Sequence, residues 1–221
     1  MKLNEKYLQE LKGKDLKFEL SLRDRNMLYL NPNGKDKLYR DVTSISFTNL
    51  YANLIIALNE ENLIDTKFSE DIKKVKWFLE NKAEIKGKSS SQYNNYKILT
   101  NKLYIKIKSP YIVEYMDLFY RGLINKYVDK IIYIDVDLLI LDIKKENFQN
   151  KTQIEELNDF KYDVDFLEYF YAFDNRKYIK KEEYNPMIES VGIIKVDKKQ
   201  LLESLIKMDI RSKKLDKLGI W

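Results

Sequence analysis

The stretch KIIYIDVDLLILD, residues 130–142, limits what this chain can fold into more than any other. It is short, β-branched and almost wholly apolar, the pattern of a strand buried on both faces. Two carboxylates, Asp135 and Asp137, interrupt it. Alternate side chains of a strand share a face, so the two acids are expected to point one way and Ile134, Val136 and Leu138 the other. Burying an unpaired carboxylate is costly, and a neighbouring acid adds repulsion. Such a pair persists where a metal ion, a cation or solvent meets it. The alternative ends the strand near Ile134 and leaves the acids in a wet turn. Against it, the apolar run resumes at Leu138 and continues to Leu141. A divalent-metal site at a strand or hairpin tip is therefore the expectation.

Two absences narrow the chemistry further. The 221 residues include no Cys, which excludes disulfides, thiolate catalysis and cysteine-held zinc. They include no His, which removes imidazole bases, Ser-His-Asp arrangements and most zinc or iron sites. Carboxylate, Lys, Arg and Tyr remain, an inventory suited to Mg²⁺ or Mn²⁺. The net charge of +5 is compatible with a phosphate-bearing partner without requiring one. The opening MKLNEKYLQELKGKDLKFEL has no apolar signal core, and no membrane-length apolar run occurs. A soluble, cytoplasmic protein with no membrane partner is expected.

Along the chain, residues 1–30 read as one or two amphipathic helices marked by Leu8, Leu11, Leu16 and Leu20, and NPNGKDK as a turn. LYRDVTSISF reads as a strand and TNLYANLIIALNEENL as a helix striped by Leu50, Leu54 and Leu58. Ser69, with Glu70 and Asp71 behind it, opens a helix that stops at Gly87. GKSSS is then a loop, and QYNNYKILTNKLYIKIK returns as a second helix, so the two form a hairpin. Ser109-Pro110 opens another helix, with Ile112, Tyr115, Phe119, Leu123 and Tyr127 inward. A strand at 166–179, a hairpin in IESVGIIKV and a helix in KKQLLESLIKM follow. Helices interleaved with a few strands make an α/β or α+β domain.

Three stretches in one order resemble the polymerase motifs of family B DNA polymerases. SFTNLYANLII at 46–56 is similar to the first, YKILTNKLYIKI at 96–107 to the second and YIDVDLLI at 133–140 to the third. NRKYI at 175–179 resembles the family's Lys-x-Tyr element, and SPYIVEYMDL and PMIESVGIIK echo its palm and thumb base. Order and spacing carry the resemblance, which spans roughly residues 40–208 and is nearest in pattern to phage-type, T4-like members. It implies an antiparallel palm-like sheet packed with helices, plus a short helical-hairpin fingers insertion. The implied segments are 1–40 helical, 41–66 and 109–185 palm, 67–108 fingers and 186–221 thumb base.

Template-directed nucleotidyl transfer on a DNA primer-template with dNTP would follow, using two Mg²⁺ or Mn²⁺ ions. Asp135 and Asp137 would be the palm carboxylates, with Asp137 the more direct ligand. Tyr51 would stack under the incoming sugar. Lys82, Lys86 and Lys97 would grip the triphosphate. Lys82 and Lys86 are one helical turn apart, and Lys82 and Lys97 lie at matching distances from Ser89, so they are expected to face one another. Asn101 and Tyr104 match the second motif's polar and aromatic positions. Arg176, Lys177 and Tyr178 would hold the duplex backbone.

The pattern breaks at Ser46, which stands where the family has an invariant metal-binding Asp; a neutral hydroxyl cannot bridge two divalent ions. Asp41, five residues upstream, is expected on the opposite face of the strand unless a bulge intervenes. Lys102, Ile105, Ala52, Val136 and Leu138 also depart from the motifs. An inactive polymerase-like subunit that binds nucleic acid is therefore the alternative, as is a split polymerase in which a second chain or accessory subunit supplies missing parts. The acid strand also resembles the Asp-x-Asp strand of glycogenin-like glycosyltransferases, which hold Mn²⁺ and a nucleotide sugar. That resemblance leaves the lysine-bearing hairpin unexplained.

Overall fold

The structure, a computed structural model, describes residues 1–14, 28–32, 35–107, 110–135, 137–148, 154–158, 160–174, 177–183, 187–191 and 197–217. They form a mixed α+β protein, the class expected, in two compact units each assembled from separated stretches of chain. No described helix is long and apolar enough to cross a membrane.

The first unit, Met1–Met27, Phe47–Asn125 and Ile154–Lys161, is helical. Its helices are α1 (Glu5–Lys12), α2 (Leu50–Glu60), α3 (Ser69–Lys88), α4 (Ser90–Ile107) and α5 (Pro110–Tyr127). Asn4 caps α1 by accepting from the Lys6 N–H, and Leu8 and Leu11 are its buried side chains. α2 buries the expected Leu50, Leu54 and Leu58. α5 starts at Pro110, where a missing N–H costs nothing, and buries Ile112, Tyr115, Phe119 and Leu123 as its periodicity predicts. Phe47, Phe119 and Phe160 meet with centroids 4.5 to 5.9 Å apart. α3 and α4 form the expected hairpin, but its loop shrinks to Ser89 alone. Helix α3 runs through Gly87, which meets no steric obstacle there, so glycine at that position does not end it. Phe78 locks the pair, 5.1 Å from Tyr96 in a parallel stack and 5.8 Å from Tyr93.

The second unit, Leu28–Ser46, Lys126–Gln153 and Tyr162–Trp221, holds a seven-stranded sheet and one helix. The strands are β1 (Leu28–Leu30), β2 (Leu38–Phe47), β3 (Ile131–Asp135), β4 (Leu138–Leu141), β5 (Tyr162–Asp174), β6 (Lys177–Glu182) and β7 (Ile188–Val191), ordered β1-β3-β4-β2-β5-β6-β7. The pairs β1–β3, β3–β4, β4–β2, β5–β6 and β6–β7 are antiparallel. Helix α6 (Lys198–Lys217) is capped by Asp197, which accepts from the Gln200 N–H at 2.8 Å. It buries Leu202 against Leu38, Tyr171 and Ile179 on one face of the sheet. The other face gathers Tyr39, Val42, Tyr133, Ile140, Phe170 and Tyr178 into a second core.

Two expectations change, and a third falls largely outside the described residues. Leu28–Leu30 is a strand rather than helix, because pairing with β3 outweighs local periodicity; Leu16 and Leu20 lie outside the described residues. The strand expected at 166–179 is two, β5 and β6, which pair antiparallel from Leu167↔Glu182 to Asp174↔Lys177. Of IESVGIIKV only Ile188–Val191 is described, as β7.

Candidate functional site

Asp135 and Asp137 stand at the tip of the β3–β4 hairpin. Asp135 pairs with Leu138, so only Val136, outside the described residues, and Asp137 separate the strands. This two-residue turn corrects the expected geometry. Asp135 is the last residue of β3 and Asp137 lies in the turn, so strand alternation does not place both acids on one face. The apolar residues from Leu138 onward are a new strand, not the old one resumed. An apolar run reads alike whether or not a tight turn divides it, and no Gly, Pro or Asn marks this one.

Ser46 lies on the same rung of the sheet. It pairs with Leu138, which pairs with Asp135, which pairs with Leu28. Directly opposed residues project to one face, so Ser46 and Asp135 share it, two strand spacings or about 10 Å apart along the backbone. Asp41 is no substitute. At about 3.3 Å per residue it lies roughly 16 Å along β2 from Ser46. Its left-handed backbone (φ 53°) does break the strand's alternation, but cannot shorten that distance enough.

Beneath Asp135, two residues back on the same face, Tyr133 is fully buried and donates its hydroxyl proton to the Asp135 carboxylate. Its ring meets Tyr178 at 5.2 Å and Phe170 at 5.6 Å. Burial first, then the negative charge of Asp135, pushes the Tyr133 hydroxyl well above the ordinary phenol range. Burial, Asp135, Glu189 and Asp137, in that order, do the same to Tyr178. Both hydroxyls therefore stay protonated as donors. Partial burial in the turn pushes the Asp137 carboxyl up, opposed by its own backbone N–H. Its side chain still has exposed surface, so water limits that penalty. Lys180 offsets part of the negative charge, with Nζ 3.1 Å from Glu189 and 3.3 Å from Glu182.

Tyr133, Glu189 and Asp174, whose negative charge also raises the Tyr133 hydroxyl, were not singled out from sequence. Strand alternation from Asp135 points to Tyr133; Asp174 and Glu189 arrive only through the fold. Tyr178 changes role. Its ring is only 5% exposed, so it cannot lie along a duplex, and its hydroxyl instead faces the field of the acids. Lys177 opens β6 with its side chain outside the described residues, as is all of Arg176.

The remaining candidates belong to the helical unit. Tyr51 is half-buried on α2. Lys82 is half-buried and Lys86 exposed, its Nζ 6.0 Å from the Tyr93 ring centroid. Lys97 is exposed. It follows Tyr96, whose ring meets Trp77 and Phe78, so it lies level with those rings, about a helical turn from Lys82. The two lysines do not face each other, because the aromatic contacts and not the loop set the helix register. Asn101 and Tyr104 lie on α4, and their side chains are outside the described residues.

Asp135 and Asp137 suit one hard divalent ion, which commonly takes one or two carboxylates and completes its shell with water and phosphate oxygens. Ser46 adds only a neutral oxygen. No group of three or more carboxylates fit to hold a metal occurs among the described residues. Neither protein-family models nor curated proteins give a match to this chain.

Proposed function

We propose that this chain is a family B polymerase-like palm and fingers protein with a reduced metal site, binding nucleoside triphosphate and primed DNA while template-directed nucleotidyl transfer is weak or lost. One observation carries this: Ser46, at the first motif's acid position, shares a rung and a face with Asp135 of the third. That two stretches about ninety residues apart in sequence share one rung supports this reading, in which Ser46 replaces the bridging carboxylate.

Asp135 and Asp137 would hold a single Mg²⁺ or Mn²⁺. Such an ion neutralises phosphate oxygens, which supports triphosphate binding. Tyr133 fixes the Asp135 carboxylate by its hydrogen bond, and Tyr178 adds a protonated hydroxyl close by. Ser46 leaves a second ion without the shared carboxylate that in-line displacement requires. The glycosyltransferase alternative loses support, since β3 is flanked by antiparallel strands on both sides and not by a parallel βαβ unit.

Mn²⁺ binding followed by electron paramagnetic resonance in the presence of dNTP tests this, with primer extension in parallel. The expected result is one ion for the wild type, two for Ser46→Asp, none for Asp137→Ala, and at least tenfold more extension by Ser46→Asp than by the wild type. Two ions and efficient extension in the wild type would overturn the reduced site. Absence of Mn²⁺, dNTP and primed-DNA binding would overturn the polymerase-like function.

A further inference from the structure

On the α3–α4 hairpin, Trp77 is a large aromatic left 48% exposed. It is not loose: its ring rests against Tyr96, centroids 5.5 Å apart, and Tyr96 in turn stacks on the buried Phe78. One edge of the indole is thus held by the hairpin's aromatic seam while much of its surface faces water. Exposed tryptophan is costly to leave wet, and the seam does not need it, since Phe78 already bridges to Tyr93 and Tyr96.

The α4 side of the hairpin is basic. Helix α4 carries no acidic residue along Ser90–Ile107, while Lys97, Lys102 and Lys106 give it three positive charges. Its exposed positions are Ser90, Ser91, Gln92, Asn94, Asn95, Lys97, Ile98 and Lys102, mostly hydrogen-bond donors and cations. On α3, Lys74 lies one turn before Trp77, exposed and with no ion pair among the described residues. By contrast Lys73, Lys76 and Lys88 are occupied by Glu70, Glu60 and Glu84. Glu80, exposed three residues after Trp77, and Glu70, whose charge acts on Lys74, are the acids of α3 near this position, whereas on the α4 side a seated aromatic, lysines and amide donors form the kind of surface that nucleic-acid backbones and unpaired bases take up.

We propose that Trp77, backed by Tyr96 and flanked by Lys74 and Lys97, is a stacking platform for single-stranded nucleic acid. An unpaired base lies on the indole, and the two ammonium groups meet the adjoining phosphates. The platform needs no metal ion.

Trp77 makes the test direct, because a stacked base quenches its fluorescence. The probes are an oligo(dT) strand, an oligo(rU) strand and a duplex of equal length, titrated in EDTA across a salt series against the full chain. The wild type is expected to bind the single strands with quenching, and the duplex more weakly. Affinity should fall about five- to 100-fold in Trp77→Ala, read by anisotropy of a labelled strand, and be largely kept in Trp77→Phe. Lys74→Gln/Lys97→Gln should flatten the slope of log affinity against log salt by about 1.4. Unchanged affinity in Trp77→Ala, binding of duplex in preference, or quenching by no probe would each overturn the platform. Circular dichroism on Trp77→Ala checks that the hairpin remains folded, which its exposure favours.

Discussion

Gly122 sits on α5 under the ring of Tyr7 from α1, and replacing it with alanine probes how α1 is docked. A Cβ there would lie 3.2 Å from Tyr7 Cζ and, to the Tyr7 hydroxyl oxygen, under the 3.0 Å that real Cβ atoms keep. The ring cannot simply swing aside. It packs edge-on against Tyr115 at 5.9 Å, and the Tyr115 hydroxyl accepts the Asn4 N–H at 2.9 Å, at the start of α1. Overpacking of this kind costs about 1–3 kcal/mol. Alanine for glycine within a helix returns about 1 kcal/mol. The net expectation for Gly122→Ala is a loss of about 1 kcal/mol, or roughly 2–4 °C in Tm for a chain of this size.

Tyr7→Phe removes the offending oxygen and leaves the ring carbon at 3.2 Å, which a shift of a few tenths of an ångström relieves. In that background Gly122→Ala should stabilise, giving a coupling of about 1–2 kcal/mol; the cycle cancels whatever Tyr7→Phe costs alone. Urea unfolding followed by far-UV circular dichroism on the four proteins measures it. If Gly122→Ala stabilises by the same amount with Tyr7 or Phe at that position, α1 does not sit on Gly122 as described.

Asp137→Asn should be more stable than the wild type at neutral pH without divalent ions. The native carboxyl is raised by burial, so its contribution is fully present in acid below the ordinary carboxylate range and is lost as pH rises through the raised native value. The variant's Tm advantage should vanish in acid and also on adding Mn²⁺ at neutral pH; an advantage constant with pH would refute the burial of that group. Lys14→Met should cost about 1–2 kcal/mol in urea midpoint experiments, since it removes the cation whose Nζ lies 2.7 Å from Oε1 of Glu114, a carboxylate only 7% exposed. The estimate is discounted from the full buried-pair value because Lys14 itself is 36% exposed. Hydrogen bonds that Lys14 donates to Glu10 and to Glu114 hold its ammonium above the ordinary range, so the pair's contribution persists through neutral pH and is lost only as strong alkali passes the raised value. No change at neutral pH would refute it.

Local elements were readable where one signal dominated. LYRDVTSISF is β2 from end to end, and the apolar spacing of Leu50, Leu54 and Leu58 is the buried stripe of α2. Pro110 opens α5 because its missing N–H falls where none is needed. Elements that depend on distant partners were not readable. Leu28–Leu30 is a strand only because β3, a hundred residues on, offers it a free edge. Between β3 and β4 the sequence carries no glycine, proline or asparagine, so nothing local announces that the apolar run is two strands.

The candidate site divides in the same way. Composition alone, with neither Cys nor His, confined the chemistry to oxygen ligands and hard cations, and the quoted stretch alone singled out Asp135 and Asp137. Those conclusions need only residue identity, which a chain carries before it folds. That Ser46 falls on the rung of Asp135, that Tyr133 holds the carboxylate, and that Tyr178 turns inward are decided by strand register. Register is a property of pairs far apart in sequence, chosen by the burial of whole sheet faces, and no single stretch contains it.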